Sequence, residues 1–236
     1  MSIEREALAS SLQKLAGSGS PTSAVPALQE VVSACVDLFG VTGSGVMIAD
    51  EQNITRFIAS SDVPGRFLEE AESRTGQGVC TQAFVESTVV RSSDLAADPR
   101  WPELAAAVTG RGIHAVLGVP IRMGAISVGT LDVYRDHPHD WTEQEARALS
   151  RYADVAEATL TAAMQAHTAG ELAEQLQYAL DYRVVIERAV GYLMAQGQVD
   201  SVTAFNRLRR AARSNRTKIG QVAEQLLRDG RLPATS

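Results

Sequence analysis

Basic side chains are concentrated between residues 183 and 218, where eight arginines and lysines stand against two acidic residues. The segment therefore carries a formal charge of +6, although the whole chain carries −6. A compact basic unit on an acidic protein is typical of a surface that binds nucleic-acid phosphates. Charge alone supports equally well a simpler interpretation, in which the arginines only solvate a helical surface. The basic residues are Arg183, Arg188, Arg207, Arg209, Arg210, Arg213, Arg216 and Lys218.

Three predicted helices position these side chains. The first ends near Met194, because Gly197 follows as a stop signal. The second begins at Asp200 or Ser201, since both are good N-caps. The third begins after Asn215.

The third helix is expected to have Thr217 as its N-cap and to end at Gly230. Apolar residues at helical spacing predict a small core that the helices share, with Phe205 at its centre. This packing is expected to leave four basic residues facing water, namely Arg209, Arg210, Arg213 and Lys218.

Two motifs in this stretch carry a resemblance to a known family. Ile-x-x-Ala-x-Gly-x-Leu-Met spans residues 186–194, and Ala-Phe-x-x-Leu-Arg-x-x-Ala spans residues 204–212. Together they resemble the ANTAR domain of bacterial antitermination regulators. The resemblance implies binding to paired RNA hairpins with six-base loops, which prevents a terminator from forming. Family members often carry Lys before the glycine of the first helix. This chain has Val190 there, so either that RNA contact is absent or Arg188 supplies it.

We expect the RNA contacts on the exposed face of the first helix, the end of the second and the start of the third. Unstacked loop bases are read by stacking and by edge contacts, so Tyr192 is a candidate stacking residue. A role for Tyr192 at the edge of the core is equally consistent with the pattern. The first amides of the third helix are suited to a phosphate. The predicted RNA-binding residues are Arg183, Arg188, Tyr192, Arg209, Arg213, Asn215, Arg216, Thr217 and Lys218.

A heptad seam leads into the basic segment. Residues at alternating steps of four and three are typical of a coiled coil, with Arg183 as a polar interruption that sets the register. We therefore predict a homodimer along residues 171–193, with Glu171 and Glu174 beside the seam. The alternative is an intramolecular helix that packs back on the preceding domain. The seam residues are Leu172, Leu176, Ala179, Arg183, Ile186, Val190 and Leu193.

Upstream of this helix, the order of predicted elements indicates an α+β domain with an antiparallel sheet. A helix over residues 1–16 and a flexible break over 17–23 come first. Thr142 and Glu145 form a capping box at the start of the closing helix. The other predicted elements are helices over 26–39 and 64–74, a turn and helix over 98–112, a loop and helix over 76–87, and strands over 44–50, 54–60, 88–94, 114–123 and 127–136.

Four stretches of this domain are GQGVC at 76–80, DL at 94–95, DPRWP at 98–102 and GIHAVLGVP at 112–120. With the element order they resemble the GAF family over residues 24–163. The chain lacks the cysteine motif of bilin-binding members and the Asn-Lys-x-x-x-Phe-x-x-x-Asp signature of cyclic-nucleotide-binding ones. The resemblance therefore implies a sensor fold whose input, a small molecule or a protein, is unknown.

Several single residues of this domain have both a functional and a structural interpretation. Cys80 is either a redox-sensing thiol or a packed small residue at a helix start, and the pattern favours the second interpretation. A histidine at a strand start, such as His114, is more often structural than a ligand contact. A tryptophan placed like Trp101 more often anchors a helix than lines a pocket. His137 and His139 lack two further ligands nearby, so no metal site is predicted.

The sequence thus predicts four segments. They are a helix and break over 1–23, a GAF-like sensor domain over 24–163, a coiled-coil linker helix over 164–182 and an ANTAR-like module over 183–230. No run of 18 apolar residues and no basic-then-apolar leader occurs, so we expect a cytoplasmic protein without membrane contact.

The motifs favour a regulator over an enzyme. The chain contains no P-loop, no paired catalytic acids and no Gly-x-Ser-x-Gly nucleophile motif, so neither catalytic residues nor a cofactor is predicted. The overall prediction is a signal-responsive RNA-binding antiterminator that acts as a dimer. The alternative is a DNA-binding regulator with a ligand-sensing GAF domain, because three helices with a basic face also describe helix-turn-helix proteins.

Overall fold

The structure is a computed structural model that describes residues 3–17, 24–49, 55–165 and 171–233. The predicted break after Gly17 and the turn of the first predicted hairpin lie outside the described residues. Strands of the described part are β1 (Gly43–Ala49), β2 (Thr55–Ser60), β3 (Val90–Ser92), β4 (Ala115–Met123) and β5 (Ile126–Arg135). Helices are α1 (Arg5–Gly17), α2 (Ala24–Phe39), α3 (Val63–Thr75), α4 (Val79–Glu86), α5 (Pro102–Val108), α6 (Glu143–Gln165), α7 (Glu171–Gly197), α8 (Ser201–Ser214) and α9 (Ile219–Asp229).

The strands of the described residues form one antiparallel sheet in the order β2-β1-β5-β4-β3. The central pair, β1 and β5, aligns Val46 with Leu131, and β4 aligns Val119 with the same leucine. Gly124 adopts φ +64° in the tight turn between β4 and β5, a backbone conformation that glycine adopts without steric cost. The antiparallel α+β fold that the sequence predicted is confirmed.

Side chains of the strands alternate between two helical layers. Leu117 and Val133 pack with α2 and α6, and α1 lies against those two helices. Val116 and Tyr134, one residue along each strand, pack with α3, α4 and α5 on the opposite face. The predicted capping box is present, since Thr142 N donates to the Glu145 carboxylate at 2.8 Å.

Helices α7, α8 and α9 form the C-terminal module (residues 171–229). Asp200 caps α8 by accepting from Thr203 N at 2.7 Å, and Gly230 ends α9 at φ +69°. The predicted N-cap of α9 is wrong, because Lys218 holds that position without a side-chain cap. Thr217 instead closes the end of α8, since its N–H donates to the Ala212 carbonyl at 3.0 Å.

Candidate nucleic-acid interface

The helices of the C-terminal module share a core that leaves a set of arginines exposed. Phe205 and Leu208 of α8 pack with Ile186 of α7 and with Ile219 and Leu226 of α9. The predicted core around Phe205 is confirmed by its burial. The exposed arginines of the module that belong to the basic segment are Arg188, Arg207, Arg210, Arg213 and Arg216.

Arg183 lies at the contact between the C-terminal module and α4, not on an open surface. The residue is 2% exposed, and its guanidinium donates to the Phe84 carbonyl at 3.2 Å and to the Glu187 carboxylate at 2.8 Å. The same group stands 4.7 Å from the centre of the Phe84 ring. Burial lowers the pKa of Arg183. In this conformation its guanidinium is therefore engaged by Glu187 of its own helix and by the Phe84 carbonyl of the α+β domain, and it is not open to RNA while α7 lies against α4.

The start of α8 docks on α4 and on the end of α3. The Phe84 and Phe205 rings meet edge to face with centroids 6.3 Å apart. Asn206 Nδ2 donates to the Gly76 carbonyl at 2.7 Å. Gly76 has φ +71°, and a Cβ added there would lie 2.6 Å from Arg209 Nη2. The absence of a side chain at Gly76 thus allows α8 to approach the backbone closely.

The prediction that Arg209 faces water is therefore wrong. The residue is 8% exposed, because its guanidinium lies beside Gly76 in the contact between the two domains. Lys218 is also only half-exposed, with its ammonium 4.9 Å from the centre of the Tyr178 ring. Sequence periodicity placed Arg209 correctly on α8 but contained no signal for the domain that covers it.

The predicted RNA-binding residues do not form one compact patch. Tyr192 is exposed, and its hydroxyl donates to the Gly230 carbonyl at 3.1 Å, beside the C-terminus of α9. Lys218 holds the N-cap position at the opposite end of that helix, which has 11 residues. A helix of this length spans roughly 16 Å, so the two residues mark opposite ends of the module.

The connection between α8 and α9 holds the remaining predicted contacts. Asn215 Nδ2 donates to the Ala211 carbonyl at 2.9 Å, and Arg216 is exposed at φ +52°. The Thr217 hydroxyl is buried. The amides at the start of α9 are less open to a phosphate than expected, because Gly220 N donates to the Tyr178 hydroxyl at 3.1 Å.

Sequence reasoning missed a cleft in which three arginines of the basic segment meet Arg74 of the other domain. Arg207, Arg210 and Arg213 of α8 line a cleft of about 330 Å³ whose other wall includes Arg74 of α3. Their spacing of three residues on one helix was a visible signal, because such residues lie on neighbouring turns. The contribution of Arg74 was not visible, since it comes from the other domain.

A second missed feature is a group of buried carboxyls between α3 and the sheet. Glu69, Glu72 and Asp132 are buried, and a Cβ on Gly45 would lie 2.2 Å from Glu69 Oε1 and 3.5 Å from Asp132 Oδ1. Burial raises the pKa of Glu72 to about 7 and raises the pKa of Asp132 and of Glu69 as well. The sequence signal for these buried carboxyls was the position of the acidic residues, which stand next to Leu68 and Ala71 of α3 and among the apolar residues of β5.

Glu72 also connects this acidic group to α4. Its carboxylate accepts from Cys80 N at 3.2 Å and from Thr81 N at 2.7 Å, so it caps the N-terminus of α4. Arg183 binds the carbonyls at the other end of the same helix. Helix α4 therefore joins the buried carboxyls to the C-terminal module.

The other candidate residues of the α+β domain are buried or lie beside a carboxylate of the same domain. Cys80 is buried, and burial raises the pKa of its thiol. His114 Nδ1 lies 3.1 Å from Asp94 Oδ1, and Trp101 is buried with the helices of its layer. His139 Nε2 lies 2.9 Å from Glu145 Oε1.

Two further features are absent from the described residues. No group of three or more His, Cys, Asp and Glu side chains in this part of the chain is arranged to hold a metal ion. Among the helices described, none combines the length and the apolar character needed to cross a membrane.

The heptad seam is divided between two environments. Ile186, Val190 and Leu193 are buried in the core of the module itself. The side chains of Leu172 and Leu176 lie outside the described set. Tyr178 and Tyr182, between these halves, stack on each other with centroids 4.5 Å apart beside the start of α9.

Comparison with known families identifies both parts of the chain. Residues 24–160 match the GAF domain family, so the chain belongs to that family. Residues 174–227 match the ANTAR domain, which gives the chain a GAF–ANTAR architecture. The ANTAR match begins inside the segment predicted as a linker, where Tyr178 and Tyr182 already pack on α9. A comparison with curated proteins gave no match.

Solved structures show the same fold for the GAF part. Free methionine-R-sulfoxide reductase from Neisseria meningitidis, solved in complex with its substrate, is 21% identical, with a TM-score of 0.55 over 69% of this chain and 90% of that chain. The GAF domain of an Acinetobacter phosphoenolpyruvate-protein phosphotransferase is 18% identical, with a TM-score of 0.53 over 69% and 95%. The corresponding domain from Coxiella burnetii is 15% identical, with a TM-score of 0.55 over the same shares.

The architecture defines the broad role of the chain. ANTAR domains are RNA-binding domains of antitermination regulators, and GAF domains are sensor domains. Both are regulatory domains. The chain therefore joins a sensor domain to an RNA-binding module.

Proposed function

We propose that the chain is a signal-responsive antiterminator that acts in the cytoplasm on nascent RNA. As a homodimer it binds paired hairpins with six-base loops and so prevents a terminator from forming. The observation that carries the proposal is the ANTAR match over residues 174–227, together with the exposed arginines on the same helices.

The proposed RNA contacts are of two kinds, to phosphates and to unpaired bases. Arg188, Arg213 and Arg216 are exposed and suited to phosphates, an interaction that weakens steeply with salt. Tyr192 keeps part of its ring open to solvent while its hydroxyl is anchored on Gly230, which suits stacking on an unpaired base. Asn215, Thr217 and Lys218 flank Arg216. Arg183 and Arg209 join these contacts only after the module leaves the sensor domain.

The contact between the two domains has the properties of a reversible one. Asn206 Oδ1 and Gln77 Oε1 are buried there without a hydrogen-bond partner among the described residues. A contact that leaves oxygens without a protein donor is weaker than a fully hydrogen-bonded one, which favours reversible docking. The input reaches the module through α4, whose two ends are held by Glu72 and by Arg183.

The dimer uses the first part of the predicted seam. Because Ile186, Val190 and Leu193 are buried inside the module, the surface for a second chain is confined to the segment that contains Leu172, Leu176 and Ala179. Dimerisation would place two modules side by side and so match two adjacent hairpins.

The test is a binding titration of the full chain against a tandem-hairpin RNA, a single hairpin and duplex DNA over a salt series. We expect tight binding that needs both hairpins, falls with salt and weakens about ten-fold in Arg188→Ala, the scale of one lost charge-assisted contact. Arg151→Ala, an exposed arginine of α6, is the matched control and should bind like the wild type. Preference for duplex DNA would support the DNA-binding alternative and overturn the proposal.

A further inference from the structure

The cleft between α3 and α8 has an unusual lining, and we call it the arginine cleft. Its volume is about 330 Å³, within the range of pockets that hold small molecules. Among the described residues that line it, Glu103 is the single acidic one. Five arginines line it, namely Arg74, Arg207, Arg209, Arg210 and Arg213.

In the arginine cleft, four arginines other than Arg209 stand against one acidic residue, Glu103. No ion pair to Arg74, Arg207, Arg210 or Arg213 is found within the described residues, although many other arginines of the chain are paired. Like charges that face each other across a domain contact repel, and a partly enclosed cleft screens them less than open water does. An anion in the cleft would turn this repulsion into attraction between the two domains.

The arrangement of the guanidiniums indicates what kind of anion fits. Arg207, Arg210 and Arg213 rise along two turns of α8, a distance of about 9 Å, and Arg74 approaches from α3. Several guanidiniums spread over this length suit an anion with more than one charged group, and their planar donors match phosphate oxygens. Thr75 and Thr203 line the same cleft and add hydroxyl donors.

The size and position of the cleft favour a small occupant over RNA. An RNA hairpin is much larger than the cleft, and Arg209 is buried as long as α8 remains docked. We propose that the arginine cleft is a binding site for a small molecule that carries two or more phosphate groups. Because both domains supply the site, the ligand binds the docked conformation more tightly and holds the module on the GAF domain.

Thermodynamic linkage gives this proposal a second consequence, which rests on the proposed RNA-binding function. A ligand that favours the docked conformation must lower the affinity for an RNA that needs the released module. The RNA must lower the affinity for the ligand by the same factor. The GAF domain would then report the concentration of a phosphorylated metabolite through the position of α8.

The first test is calorimetric titration of the full chain with inorganic pyrophosphate and with orthophosphate. We expect one saturable pyrophosphate site that binds at least about ten-fold more tightly than orthophosphate, because two groups contact separate guanidiniums. Arg74→Gln and Arg210→Gln should each weaken pyrophosphate binding about ten-fold, while Arg151→Gln on α6 should leave it unchanged. Absence of saturable binding, or an unchanged affinity in Arg74→Gln, would overturn the proposal.

The second test is competition with tandem-hairpin RNA. Pyrophosphate should weaken RNA binding by the wild type and have a much smaller effect on Arg74→Gln, whose substitution lies in the GAF domain. Equal competition in both proteins would mean that the anion only displaces RNA from the module, which contradicts the proposal. If the wild type binds RNA but not pyrophosphate, the site is refuted and the RNA-binding function stands. If the wild type binds pyrophosphate but not RNA, the anion site stands and the proposed RNA-binding function is refuted.

Discussion

At the scale of single residues, Arg183 shows how burial changes the role of a charge. Its guanidinium contacts the Phe84 ring and the carbonyls at the end of α4, so it stabilises the contact between the domains. A cation near a helix C-terminus is also favoured by the helix dipole. The residue that the heptad pattern marked as a polar interruption is thus paired within its own chain.

The Arg183→Ala variant should lose about 2 kcal/mol of unfolding free energy, since it leaves buried carbonyls without a charged donor. Denaturation in urea, followed by circular dichroism, measures the loss. Arg188→Ala on the exposed face of the same helix is the control and should change the stability by less than about 0.5 kcal/mol. Equal stability of the two variants would show that Arg183 contributes nothing to the contact.

The buried carboxyls should make the stability of the chain depend on pH. Burial raises the pKa of Glu72 to about 7 and raises that of Asp132, so the folded state binds more protons than the unfolded state above pH 4 to 5. The unfolding free energy should therefore fall as the pH rises from about 5.5 to 8.5.

Melting temperatures over this pH range test the effect. Asp132→Asn removes one ionising group and should reduce the slope. Asp154→Asn, at an exposed carboxyl of α6, should leave the slope unchanged. A stability that rises with pH in the wild type would contradict the assigned burial of these carboxyls.

The sequence predicted which residues of the basic segment lie on helices but not which of them are covered. Helical spacing distinguishes an apolar face from a polar face and carries no information about a second domain. Arg209 illustrates this limit, because the residue that it contacts, Gly76, is far away in the chain. The buried carboxyls left a clearer signal in the sequence than the covered arginines did, since Asp132 interrupts an apolar strand.

At the scale of elements, α7 serves two purposes. Its C-terminal half supplies the core of the ANTAR module through Ile186 and Leu193. Its N-terminal half carries the part of the predicted seam that the proposed dimer uses. Strands and helices of the GAF domain were predictable because their apolar periodicity is strong. The N-cap of α9 was not, because Thr217 is engaged by the preceding helix.

The Leu176→Asp substitution tests the dimer, because it places a charge on the predicted seam. Analytical ultracentrifugation should show a dimer for the wild type and a monomer for the variant. The monomer should also lose the advantage of a tandem hairpin over a single one. Gln177→Ala, one residue outside the seam, is the control and should stay dimeric. A wild-type chain that is monomeric at high concentration would refute the dimer.

At the scale of the whole molecule, the two domains share one contact surface. Phe84 of the GAF domain packs into the core of the ANTAR module, while Arg183 and Asn206 of the module bind backbone carbonyls of the GAF domain. The same surface buries two of the predicted RNA-binding arginines and forms the arginine cleft. In the proposed function, docking and RNA binding therefore compete for the same side chains.

Tandem-hairpin RNA affinity in a pair of matched glycine variants tests this account most directly. Gly76→Lys adds a side chain where even a Cβ meets Arg209 and Asn206 at 2.6 Å, so it should release α8. Gly110→Lys has the same charge change and a similar φ of +75°, but its Cβ meets nothing within 4 Å.

We predict that Gly76→Lys binds the RNA about ten-fold more tightly than the wild type, because more of the protein is in the binding-competent state. Gly110→Lys should bind like the wild type. If Gly76→Lys and Gly110→Lys bind equally, docking on the GAF domain does not control the ANTAR module. If none of the three proteins binds the RNA, the antiterminator account itself is contradicted.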